Sequence, residues 1–170
     1  MRYANKEKKD GVQYWSIGNE PSIYTELKYA TYDYTTEHLN REWRAIAQAM
    51  KKVDPSIKLM GPEIHQWNRS YESTLKDSAG RDWMIEFLKV NGDLVDVVTI
   101  HRYPMYSPSN PVTVESLRQN TRMWAEEIDY LRQVMRETIG RELPIAITEL
   151  NSDPSPAMLQ QASPDSFYNA

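Results

Sequence analysis

The sequence predicts an α/β fold in which about four parallel strands alternate with helices. Short apolar runs recur near residues 12–17, 57–60, 94–100 and 144–148, each of strand length. Longer stretches with apolar residues at helical spacing separate them. The runs break off in polar corners, the position where parallel α/β folds gather their chemistry.

Taken in order, residues 1–11 close in Lys9-Asp10-Gly11, a turn that hands over to the first strand near Val12. With period two, Tyr14, Ser16, Gly18 and Glu20 share one face, while Trp15 and Ile17 share the other. One face thus suits a tight interior and the other a layer of helices. Gly18-Asn19-Glu20-Pro21 is a corner that no strand interior holds. Residues 22–34 have no clear period and four tyrosines (Tyr24, Tyr29, Tyr32 and Tyr34), which reads as a long loop above the strand end.

A helix is expected from Thr36 to Val53, with Leu39, Trp43, Ile46, Ala47, Met50 and Val53 as its apolar stripe. Asp54-Pro55 ends it, because the residue before proline is pushed out of the helical region. Ile57–Met60 is the second strand, followed by a strand-end loop through Trp67, with polar, exposed residues from 68 to 80. A second helix covers Asp82–Val90, with Met84, Phe87 and Leu88 inward and Asn91-Gly92 as its C-terminal cap. Leu94–Ile100 is the third strand and ends at His101-Arg102-Tyr103-Pro104. A proline-rich loop to Pro111 and a short helical turn at Thr113–Gln119 precede the last helix, which runs to Ile139 with Gly140 just past its end. Pro144–Thr148 is the fourth strand and ends at Glu149. A tail rich in Ser, Pro and Gln follows, and Phe167–Ala170 resembles the start of a helix. Four such units make half of an eight-stranded barrel, whose usual length is about 250 residues. The fold class is therefore α/β, a partial (β/α)8 TIM barrel.

Composition narrows the function. The 170 residues are 40% hydrophobic and 26% charged, the profile of a globular domain able to bury a core. A net charge of −4 gives no reason to expect nucleic acid or an acidic membrane surface as partner. No apolar run approaches the roughly 20 residues of a membrane span. The absence of cysteine excludes disulfides and thiol catalysis and leaves the compartment open. Trp43, Trp83 and Trp124 fall on helical segments and read as core, whereas Trp67 falls on a strand-end loop.

Two short apolar strands ending in carboxylates, Asn19-Glu20 and Glu149, resemble the active-site strands of clan A retaining glycoside hydrolases. In that pattern an Asn-Glu pair ends the fourth barrel strand and a lone Glu ends the seventh. The match runs over almost the whole chain, with likeness to the xylosidase, arabinofuranosidase and endoglucanase/xyloglucanase branches. It implies one catalytic domain over residues 1–170, an internal piece without the first three strands and the eighth. The resemblance further implies Glu20 as acid/base and Glu149 as nucleophile in retaining hydrolysis of plant-type poly- or oligosaccharides. Asn19 is then the partner of the sugar 2-hydroxyl, and His101-Arg102-Tyr103 resembles the family's His and Tyr at the preceding strand end. Trp67, Tyr24 and Tyr106 are placed to stack on sugar. No metal or organic cofactor is required, and the partner is a carbohydrate.

The chemistry suits those residue types. Glycosidic hydrolysis needs two carboxyl groups, one to protonate the leaving oxygen and one to attack the anomeric carbon or activate water. In a retaining enzyme they stand about 5–5.5 Å apart, which side chains from separate strands of one barrel mouth can satisfy. Other readings stay beside this one. Glu63, His65 and His101 suggest a metal site, but their spacing fits no standard ligand pattern. Asn68-Arg69-Ser70 matches a glycosylation acceptor, a triplet common by chance. A carbohydrate-binding fragment without bond cleavage is the alternative from another class, since half a barrel leaves two strand edges unpaired and open to self-association.

Overall fold

Strand β1 (Tyr14–Ser16), β2 (Lys58–Ile64), β3 (Val97–Arg102) and β4 (Ile145–Leu150) lie side by side in chain order, every pair parallel. This computed structural model describes residues 1–67, 75–103 and 113–151. Parallel neighbours need crossovers, and helices supply them. Helix α1 (Thr36–Val53) joins β1 to β2, α2 (Trp83–Asn91) joins β2 to β3, and α3 (Val114–Arg122) with α4 (Trp124–Ile139) joins β3 to β4. The expected alternation is present, and so are the expected bounds of α1. The strands differ in detail: β1 is shorter, β2 runs on through Gly61-Pro62 to Ile64, and the helical turn after residue 113 is a nine-residue helix.

Helices α1, α2 and α3 each start on a local side-chain cap. The Thr35 N–H donates to His38 Nδ1 at 3.2 Å ahead of α1, Asp82 accepts from the Ile85 N–H at 2.9 Å, and Thr113 accepts from the Ser116 N–H at 3.0 Å. From α1, Leu39, Trp43 and Ala47 enter the core, while Ile46, expected in the same stripe, is exposed on its flank. They meet Met84, Phe87 and Leu88 of α2, Leu131, Val134 and Met135 of α4, and Leu59, Val98 and Ile100 of the sheet. The Trp43 ring lies edge-on to Phe87 at 4.9 Å. Gly61 makes this possible, because a Cβ there would fall 2.6 Å from Trp43 Nε1.

Gly92 is the C-cap of α2, as expected, and its N–H donates to the Leu88 carbonyl at 2.9 Å. It is right-handed (φ −61°, ψ −17°), so left-handed freedom is not its purpose. A Cβ would stand 2.6 Å from the Leu88 carbonyl oxygen and 2.7 Å from Ile139 Cγ2, so the glycine lets the end of α4 close on the end of α2.

Helices thus cover one face of the sheet, and the other carries Ser16, Thr99, His101 and Tyr103. Among the described residues nothing pairs with the outer edges of β1 and β4. The expectations for Asn68-Arg69-Ser70, Tyr106, the proline-rich loop and the tail lie outside the described residues.

Candidate active site

The first carboxylate is set by an unusual backbone. Glu20 has φ 49° and ψ 50° although Pro21 follows it, a left-handed conformation of order 1–3 kcal/mol above the favoured regions for such a residue. It is held there by its N–H, which donates to the Glu63 carbonyl at 3.0 Å, and by the 3-10 turn Pro21–Ile23 that starts on it. The side chain is thereby swung from the end of β1 across to β3.

On β3, period two sends Val98, Ile100 and Arg102 to the helices and Thr99, His101 and Tyr103 to the opposite face. His101 is 1% exposed. Its Nδ1 lies 2.9 Å from Glu20 Oε1 and 3.5 Å from Glu149 Oε2, and its Nε2 lies 3.2 Å from Glu63 Oε2. Carboxylates at both ring nitrogens assign a proton to each, making the ring an imidazolium. Burial lowers the proton affinity of His101, but the bonds to Glu20 and Glu63 and the charges of Glu149 and Glu20 outweigh it, so its pKa is pushed up to about 9.

Glu149, on β4, accepts from the Tyr103 hydroxyl at 2.8 Å. Burial and then this bond push the Tyr103 hydroxyl up, so it stays a donor throughout the neutral range. Tyr103 is fixed from below, where its N–H donates to Gln66 Oε1 at 2.8 Å and its carbonyl accepts from Gln66 Nε2 at 2.7 Å. One ligand atom each from Glu20, His101 and Glu149 lie within 4.8 Å of one another. That spacing would also suit a cation. The separations at His101 Nδ1 are hydrogen-bond distances, however, and the doubly engaged ring fits a proton better.

The structure therefore brings together Glu20, Glu149, His101 and Tyr103. Asn19 is exposed at the same strand end, where its N–H faces the Tyr24 hydroxyl at 3.4 Å. Trp67 is a correction. It is 1% exposed, its ring is stacked on Tyr130 with centroids 5.7 Å apart, and its Nε1 donates to the Glu127 carbonyl at 3.3 Å. The extension of β2 through Ile64 carries the indole beneath α4 instead of over the rim, and so it belongs to the core. Tyr24 likewise packs against Tyr29 and Tyr34, at 6.0 and 5.0 Å between centroids.

Two residues were not singled out as part of this site. Gln66 left no trace in the sequence. For Glu63 the sequence favours a structural role over a metal ligand, and its carboxylate, 2% exposed, accepts from Ser16 Oγ of β1 and Thr148 Oγ1 of β4 as well as from His101. Its own N–H donates to Thr99 Oγ1 at 2.9 Å.

Comparison with known proteins gives the family and the fold. The family model described as Glycosyl hydrolases family 39 matches residues 1–170. Endoglucanase A of Paenibacillus lautus is similar, 26% identical over an alignment of 121 residues that covers 61% of this chain and 17% of that protein. A family 44 xyloglucanase of Paenibacillus polymyxa, solved with xyloglucan, has a similar fold at TM-score 0.67 and 16% identity, over 89% of this chain and 39% of that one. A family 39 β-xylosidase from Caulobacter crescentus is similar at TM-score 0.52 and 19% identity, over 91% and 28%. The chain thus spans about two fifths or less of the length of these proteins. Its fold is the corresponding half of a (β/α)8 barrel.

Proposed function

The chain belongs to glycosyl hydrolases family 39, and on that premise we propose that its strand ends carry out retaining hydrolysis of O-glycosidic bonds. The supporting observation is the approach of Glu20 and Glu149, with carboxylate oxygens within 4.8 Å. Inverting enzymes hold their carboxyl groups about 6.5–9.5 Å apart to admit a water, and retaining ones about 5–5.5 Å apart.

In the first step the Glu149 carboxylate attacks the anomeric carbon. The glycosidic C–O bond breaks, and the departing oxygen takes the proton of Glu20. In the second step Glu20, now a carboxylate, removes a proton from water. The resulting hydroxyl displaces Glu149 from the sugar, which restores both groups. The solvent access of the two side chains suits these roles, since Glu20 is 18% exposed and Glu149 39%. The Tyr103 hydroxyl orients Glu149 for attack. Asn19, at the same corner as Glu20, is assigned to the sugar 2-hydroxyl, whose bonds strengthen as positive charge develops on the ring. The substrate class drawn from the similar endoglucanase, xyloglucanase and xylosidase is a plant-type glucan, xyloglucan or xylan, or an oligosaccharide of one.

Hydrolysis of aryl glycosides of glucose and xylose tests the reading. Glu149→Ala lowers turnover by about 10⁴-fold or more, the scale on which losing a nucleophile acts. The first product seen by proton NMR keeps the anomeric configuration of the substrate. A first product of opposite configuration, or a variant that keeps the parent rate, refutes the assignment.

A further inference from the structure

We propose that Glu63 is a positioning residue for this site: its buried carboxylate holds the Nε2 proton of His101, and so keeps Nδ1–H a donor facing both Glu20 and Glu149. The proposal rests on the glycosidase reading for its purpose, and on the geometry and charge of the buried pair for its existence.

The geometry has three parts. Glu63 reaches His101 Nε2 at 3.2 Å from the side opposite the two rim carboxylates. Two more of its acceptor sites take Ser16 Oγ and Thr148 Oγ1, so the carboxylate cannot turn away from the ring without stranding two hydroxyl groups. Its backbone is fixed too, at φ 57°, with the N–H on Thr99 and the carbonyl accepting from Glu20. One residue therefore ties the β1 corner bearing the acid/base to the ring on β3 and the strand bearing the nucleophile.

A neutral imidazole has one N–H. Without Glu63 the ring can place that hydrogen on either nitrogen, and Nδ1 can face the rim as a bare acceptor. With an ionised Glu63 beneath it, both nitrogens are donors. Burial raises the Glu63 carboxyl, but the bonds from His101, Ser16 and Thr148 more than offset this and hold it below the usual range, so it is ionised at neutral pH. The other titratable groups around the ring are Glu20, Glu149 with Tyr103 behind it, and His65. Burial lowers the proton affinity of His65, in opposition to Glu20 and Glu26, so it adds no second positive charge at neutral pH.

A fixed Nδ1–H has a use in the two-step reaction. When Glu149 becomes an ester and Glu20 gives up its proton, negative charge passes from one rim carboxylate to the other. A cationic donor at 2.9 and 3.5 Å from the two compensates the charge before and after the transfer.

The test reads the imidazole directly. The chain has three histidines, so long-range proton–nitrogen spectra of ¹⁵N-labelled protein resolve them, with His101→Asn identifying the signal. In the parent protein both His101 nitrogens carry hydrogen at pH 7.5, and the ring titrates near pH 9. In Glu63→Gln the amide has no charge, and the midpoint falls by about one unit or more, a tenfold loss of proton affinity. A folded Glu63→Gln protein with an unchanged His101 midpoint overturns the proposal. Should that variant not fold, the reciprocal measurement decides. Coupling is mutual, so His101→Asn must raise the Glu63 carboxyl midpoint, seen by carbon NMR, and no movement there also overturns it. Neither readout uses turnover. A shifted ring in a protein whose Glu149→Ala variant keeps the parent rate would leave the Glu63–His101 coupling standing and remove the glycosidase reading alone. A merely structural Glu63 lowers stability in Glu63→Gln without moving the ring, and Glu63→Asp, which keeps the charge, restores part of the midpoint.

Discussion

At the scale of single residues, Trp67 separates what an aromatic side chain can do from what its backbone allows. Its indole is enclosed between β2, β3 and α4, its own N–H donates to the His101 carbonyl at 2.9 Å, and its carbonyl accepts from Arg102 Nη1 at 3.1 Å. Trp67→Ala therefore opens a cavity in the core and costs about 3–5 kcal/mol of stability. Urea denaturation measures this, and an unchanged unfolding midpoint would contradict the buried placement. The same stretch explains why Glu63 escaped notice. Period two from Leu59 puts Gly61 and Glu63 on the helix face. The register of β2 against β3 slips between Gly61 and Ile64, and that slip turns Glu63 to the other face. A second slip, between Ile100 and His101, lets the adjacent Thr148 and Glu149 both reach the site. Glu20, Glu149, His101 and Tyr103 were legible because their strand ends resemble the family's pattern, and Pro21 and Pro104 mark two of the corners. No feature of composition or spacing announces a bulge.

At the scale of elements, the helices were readable because amphipathic stripes and caps are local properties. Thr36–Val53 has both an N-terminal Thr35 and a closing Asp54-Pro55, and its bounds follow from them. Gly92 is the expected cap, yet its right-handed conformation marks the limit of local reading. A glycine after a helix signals a left-handed cap when only the chain is considered, whereas here a neighbouring helix sets the requirement. Gly92→Ala forces a methyl group against the Leu88 carbonyl and the Ile139 side chain, and overpacking of this kind costs about 1–3 kcal/mol. Thermal unfolding checks this. A second substitution, Ile139→Ala, relieves the side-chain clash but not the one with the carbonyl, so it restores only part of the loss. Full restoration would mean that the backbone contact is not tight.

At the scale of the whole molecule, the Glu63–His101 pair links all four strands through buried charge, and stability should therefore follow pH in a definite direction. His101 binds its proton more tightly folded than unfolded, with a pKa of about 9 against 6.5. Its contribution is complete below about pH 6.5 and disappears as pH rises through 9. Glu63 is shifted the other way, below its ordinary 4.5, so its contribution is complete above that value and disappears as pH falls through the lowered one. Both contributions are present together between about pH 4.5 and 6.5, and the urea midpoint should be highest there and decline toward pH 9. In His101→Asn the alkaline decline should be much reduced, because the group that loses its proton is gone. The prediction fails if the parent protein holds its midpoint unchanged from pH 6 to 10, or if His101→Asn declines as steeply as the parent. The alkaline limb then belongs to some other group, and the imidazolium is not what binds the four strand ends together.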